Sequence, residues 1–225
     1  MSAKPKVTAT ELARAILVDY EGNIDRPPTL LGWRTDGITH GAIVEEAFST
    51  CSNRYRAKQV AFQPHQRLVK DLLTQACDED RVIVSWSEHD LNLLKAVLPQ
   101  KEHALLLCRY RNAIPTAKAW YRKSMLERAP QGDLTFFCHL LGFPVPLRYG
   151  TGKVGQGLRL LRGQLQEGRL YDELTPKARA SWVVVVKHND LDLRAMEYVL
   201  QAILQVPVGR KHPNQMALTL VQTDS

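Results

Sequence analysis

The segment ILVDYEGNID, residues 16–25, runs three apolar residues directly into Asp19-Tyr20-Glu21-Gly22. A strand alternates its side chains with a period of two, so a strand here aims Asp19 and Glu21 the same way, side by side at its end. Adjacent carboxylates repel and raise each other's pKa unless a cation lies between them. Hard oxygen ligands of this kind suit Mg²⁺ or Mn²⁺. The competing interpretation is a surface strand end carrying two solvated acids.

Working outward, residues 1–14 form a lead-in, with a short helix or loose segment over 8–15. Pro27-Pro28 ends the turn after the first strand, and TLLGWRT (29–35) reads as a second strand. Asp36-Gly37 is a hairpin signal leading to a third strand near 41–48. Residues 49–58 read as a polar loop. Over 63–77, Leu68, Val69, Leu72, Leu73 and Ala76 share one helical face. This helix is a crossover into RVIVS (81–85), which predicts a buried strand parallel to the first. Residues 88–98 read as a helix closed by Pro99, and 104–108 as a fifth strand. Beyond Asn112 the pattern is helical, over 116–127, 133–141, 154–166 and 176–204. Thr175 is the expected N-cap of the last helix and Pro176 its first residue. The expected fold is α/β: three antiparallel strands, then parallel ones, flanked by helices, with a helical C-terminal half. One domain spans 15–208, and 209–225 form a loose tail.

The chain has 225 residues, enough for a substantial core. The first ten residues lack the apolar h-region of a secretory signal, and no apolar run approaches the roughly 18 residues of a membrane helix. Cys51, Cys77, Cys108 and Cys138 are widely spaced, with no Cys-x-x-Cys pair. They read as reduced thiols of a cytoplasmic protein, and a disulfide framework or zinc site is not expected. The net charge of +7 is uneven: residues 1–100 carry 12 Lys+Arg against 13 Asp+Glu, and residues 101–225 carry 18 against 10. A basic half joined to an acid-centred half suits a polyanionic partner held near carboxylate-bound metal.

Two further acids stand out by position. Asp90, in VIVSWSEHDLNLL, follows a buried strand where the next helix begins, and open α/β sheets place ligands at the carboxyl ends of strands. Asp192, in VVVVKHNDLDLRAM, follows His188 by four residues, so on a helix the two address one point.

In this order and context the residues resemble the DEDD 3′–5′ exonucleases of the ribonuclease H-like superfamily, nearest in appearance to the predicted ribonuclease H-like exonuclease group. The resemblance spans about residues 15–204 and includes the block from Asp133-Leu-Thr-Phe-Phe through Gly142-Phe-Pro. It implies a ribonuclease H-like sheet and a hydrolase that cuts single-stranded DNA or RNA with two Mg²⁺ or Mn²⁺ ions. Asp19 would bridge the ions, Glu21 and Asp192 would complete one shell, and Asp90 would support the other through water. His188 would orient or deprotonate the attacking water. In such hydrolysis, ions about 3.5–4 Å apart stabilise the entering and leaving oxygens of an in-line displacement. Three features depart from the pattern: His188 stands at the usual tyrosine offset, Trp86 where Asn is usual, and His89 where Phe is usual. For His188 the alternative is a helix histidine that simply hydrogen-bonds Asp192.

Nucleic-acid contacts are expected from Tyr20, from Trp86 stacking a terminal base, and from the basic loop and helix around Arg148, Lys153, Arg159 and Arg162. Gly150-Thr-Gly152-Lys-Val-Gly155 matches G-x-G-x-x-G, but prolines rather than a strand precede it, so a dinucleotide site is not expected. ILVDYEGN also resembles the start of haloacid dehalogenase phosphatases, with Ser85 and Asp190 or Asp192 as later motifs. Glu21 and Asn23 depart from that pattern. A third alternative is a binding module that keeps the nuclease fold without activity.

Overall fold

Ile16–Glu21 forms strand β1 in the computed structural model, which describes residues 6–23, 25–55, 59–125, 132–146 and 153–205. It runs antiparallel to β2 (Leu30–Thr35), with Asp19 opposite Gly32. A two-residue turn then leads to β3 (Ile38–Ile43), where Asp36 and Gly37 take φ of 52° and 78°. Both central residues at positive φ give the primed turn that matches strand twist. A turn this short starts β3 earlier than the expected 41–48. The chain past Ile43 instead enters a 3₁₀ turn, Glu46–Cys51.

The crossover expectation agrees with the pairing. Helix α2 (His65–Asp78) leads into β5 (Ile83–Ser85), which lies parallel to β1 with Ile16 opposite Ile83. The full sheet has six strands in the order β4 (Ala61–Phe62), β3, β2, β1, β5, β6 (Tyr110–Asn112). Two strands differ from the sequence reading. Residues 104–108 belong to helix α4 (Gln100–Arg109), and the strand β6 (Tyr110–Asn112) follows it. Ala and Leu favour helix, and a short apolar run does not by itself distinguish helix from strand. β4 (Ala61–Phe62) pairs parallel to β3 in a segment with no strand-like alternation.

Alternation along β1 divides the core. Ile16 and Val18 pack with α2, α3 (Glu88–Val97) and Leu106 of α4 on one face. Leu17 faces the other, among α5 (Ala113–Met125), α6 (Leu134–Leu141) and the long helix α8 (Pro176–Gln205). α8 also packs with α7 (Lys153–Gln166) over Leu30 and Ile43. Val185 and Val186 are buried within α8, so the core contacts of this 30-residue helix override the strand propensity of its valine run. The described part of the lead-in is docked: Val7 is buried and donates its N–H to Thr116 Oγ1, just before the one-turn helix α1 (Ala9–Leu12). Residues 209–225 lie outside the described residues. No described helix is long and apolar enough to cross a membrane.

Candidate functional site

Asp19 and Glu21 share the face of β1 that α8 covers. The helix turns His188, Asn189 and Asp192 toward them. His188 Nδ1 lies 2.9 Å from Glu21 Oε1 and 3.3 Å from Asp192 Oδ2. Glu21, His188 and Asp192 each offer a ligand atom, all within 4.8 Å of one another. Asp19 is deeper. Burial pushes its carboxyl well up, and the charges of Glu21, Asp192 and Asp90 push it further the same way. The sequence-expected acids therefore converge on one field, although they come from β1, the start of α3 and the middle of α8.

Of Glu21, His188 and Asp192, the last is the most open, its side chain 32% exposed. Its carboxyl is pushed up to about 7, chiefly by burial; His188 opposes the shift, and Glu21 and Asp133 add to it. Asp90 is buried at the first turn of α3, where its Oδ2 accepts from Ser87 Oγ at 3.0 Å and from Ser87 N at 3.3 Å. Burial raises its pKa and these bonds partly offset the rise. One oxygen is thus committed to the capping box, which suits support through water better than direct ligation.

Three contributors were given no role at the site in the sequence reading. Asn189, 1% exposed, donates from Nδ2 to Asp19 Oδ2 at 2.9 Å and to the Asp19 carbonyl at 3.0 Å. It reaches β1 because Gly32 has no side chain: a Cβ there would stand 1.7 Å from Asn189 Oδ1. That Oδ1 is buried without a hydrogen-bond partner. An asparagine on an otherwise apolar helix face and a glycine inside a strand are the signals that mark such a close approach. Asp133, the N-cap of α6, adds negative field at Asp192. Its place in the sequence marks a helix start and nothing more.

Several expected nucleic-acid contacts are placed otherwise. Trp86 is buried, edge-on to Phe137, and donates Nε1–H to the Gly132 carbonyl at 2.8 Å. A ring packed into the core this way has no face for a base. Tyr20 points to the opposite side of β1 from the acids, its hydroxyl 2.6 Å from His65 Nε2. Arg162 is an internal clamp: its guanidinium binds both Glu45 oxygens, at 3.0 and 2.7 Å, and Thr29 Oγ1 at 3.2 Å. Arg159 is exposed on α7. Arg148 and the Lys153 side chain lie outside the described residues.

Two carboxylates and an imidazole within ligand reach of one another could hold a divalent cation. Clustered carboxylates with raised pKa values are the chemistry that such a cation neutralises, and hard oxygen ligands favour Mg²⁺ or Mn²⁺. No protein-family model matches the chain, and comparison with curated proteins and with solved structures finds no match.

Proposed function

We propose that the chain is a divalent-metal-dependent nuclease. It hydrolyses phosphodiester bonds of single-stranded DNA or RNA from the 3′ end, on a ribonuclease H-like fold. The observation that carries this reading is the gathering of Glu21, His188 and Asp192, with ligand atoms within 4.8 Å of one another, beside Asp19, whose carboxylate Asn189 holds. A sheet of three antiparallel strands continued by parallel ones supports the fold assignment.

Asp19, Glu21 and Asp192 would hold Mg²⁺ or Mn²⁺, with Asp90 supporting through water. Bound there, the metal would supply Lewis-acid stabilisation of phosphoryl oxygens and a water of lowered pKa. Asn189 fixes the Asp19 carboxylate through its amide, so that ligand is oriented before substrate arrives. His188, within reach of both Glu21 and Asp192, would orient the attacking water.

The silent binding module has one observation in its favour. His188 Nδ1 faces both Glu21 and Asp192, so an imidazolium could itself serve as their counter-ion. The phosphatase reading has less support. Ser85 Oγ donates to the Ser87 carbonyl and faces the Tyr110 hydroxyl at 2.6 Å, and Asp190 and Asp192 lie in mid-helix.

The test is degradation of labelled single strands with Mn²⁺ or Mg²⁺. Asp19→Asn is expected to lower the rate about 100-fold or more, because metal ligation and its orientation are lost together. A 3′-blocked oligonucleotide should resist cleavage. Metal-independent binding with no cleavage would favour the silent module.

A further inference from the structure

α7 and α8 pack as an antiparallel pair. Gln164 Nε2 donates to Thr175 Oγ1 at 3.0 Å, and a Cβ on Gly157 would stand 3.0 Å from Ser181 Cβ. The start of α7 therefore comes alongside the part of α8 that carries His188. Between the helices lies a groove of about 390 Å³, lined by Gln156, Gly157, Leu160, Lys177, Ser181 and Val184, with Ala180 at its exposed rim. Lys177, Ser181, Val184 and His188 recur at helical spacing on one stripe of α8, so the groove leads within one turn to the carboxylate cluster.

The charge on these helices is one-sided. Residues 153–166 and 176–189 carry six Lys or Arg and no Asp or Glu. Of these, Arg162 is neutralised by Glu45, whereas Arg159 and Lys177 are exposed. A basic stretch formed by α7 and the first half of α8, leading to the acids of its second half, attracts a polyanion toward the metal ligands.

We propose that the α7/α8 groove is the path along which single-stranded nucleic acid reaches the carboxylate cluster, an inference that rests on the nuclease reading and assigns its substrate track. The floor of small and aliphatic side chains takes sugar and base surfaces, while Lys177 at the far end meets a phosphate. Gln156 and Ser181 are the uncharged polar side chains of the lining, too few to read base edges, so binding is sequence-tolerant and salt-sensitive.

The experiment is fluorescence anisotropy of the full chain with a labelled ten-nucleotide single strand, with Ca²⁺ present to hold off cleavage. Lys177→Glu and Ala180→Glu, each on the exposed surface, are expected to weaken binding about tenfold. Lys101→Glu on α4 makes the same change in net charge as Lys177→Glu and is expected to leave affinity unaltered. Circular dichroism checks that each variant is folded. Equal affinity of the groove variants and the wild-type chain, no binding by the wild-type chain, or equal binding of a duplex would each overturn the proposal. Binding that depends on the groove, with no cleavage in Mn²⁺, would leave the track standing and remove the nuclease reading.

Discussion

Asn189 decides how Asp19 is held, and it does so through the absence of a side chain at Gly32. The amide spans from α8 to β1 only because β2 presents bare backbone at that register. Gly32→Ala forces the amide away from Asp19 or pushes α8 off the sheet. Overpacking of this kind is expected to cost about 1–3 kcal/mol, read from urea unfolding. Activity should fall by more than the stability loss explains, since the Asp19 carboxylate loses its orienting donor. Unchanged stability and rate would show that the contact is not needed. That Asp19 and Glu21 share a face was legible in the sequence, because strand periodicity fixes it. That Asn189 completes the pair was not, because the contact joins residues 170 positions apart.

α7 reaches the site through one buried ion pair. Arg162 binds both oxygens of Glu45, lies over the Phe48 ring at 5.3 Å, and with Thr29 closes a network beside the turn after β1. Asn23, with its amide oriented to satisfy both neighbours, donates to the Gly155 carbonyl at 3.2 Å and accepts from Arg162 at 2.8 Å. The loop after Glu21 is thereby tied to α7. Glu45→Gln leaves the guanidinium buried without its counter-charge and is expected to destabilise the fold by about 3–5 kcal/mol. Arg162→Met together with Glu45→Gln should recover part of that loss, measured by chemical denaturation. A small effect of Glu45→Gln alone would mean that water already solvates the pair. Long amphipathic helices such as α2 and α8 were legible as elements. α4 was not, because HALLLCR fits either period until its neighbours choose. The two-residue β4 exists only as a partner for β3.

At the scale of the whole molecule, folding gathers like charges and so makes stability depend on pH and metal. Burial keeps Asp192 protonated up to about pH 7 in the folded chain, whereas its ordinary value is 3.8. Between those values the folded chain holds more protons than the unfolded chain. The stability contributed by this group is therefore full below about pH 4 and falls as pH rises through about 7. Without metal, Asp192→Asn should melt progressively higher relative to wild type from pH 5 to pH 8. A constant difference would contradict the assigned burial of that carboxyl. His65 acts in the opposite direction: burial lowers its pKa to about 4, so its contribution is lost as pH falls below about 6.5. Mn²⁺ at about 100 times its dissociation constant should stabilise the wild-type chain by about 2.7 kcal/mol. The gain should be larger at pH 8 than at pH 5, because ligands must be deprotonated to bind.

The sequence by itself determined what short-range periodicity can carry: the first strand with its two acids on one side, the hairpin at Asp36-Gly37, the crossover to a parallel strand, and the late helix that presents His188 and Asp192 together. Tertiary structure alone decided that Trp86 is core, that Arg162 is a clamp, and that Asn189 seats on Gly32 beside Asp19. The reason is physical. Local pattern fixes the direction in which a side chain leaves its own element, but its partner is fixed by packing between elements distant in the chain, where burial rather than propensity sets the free energy.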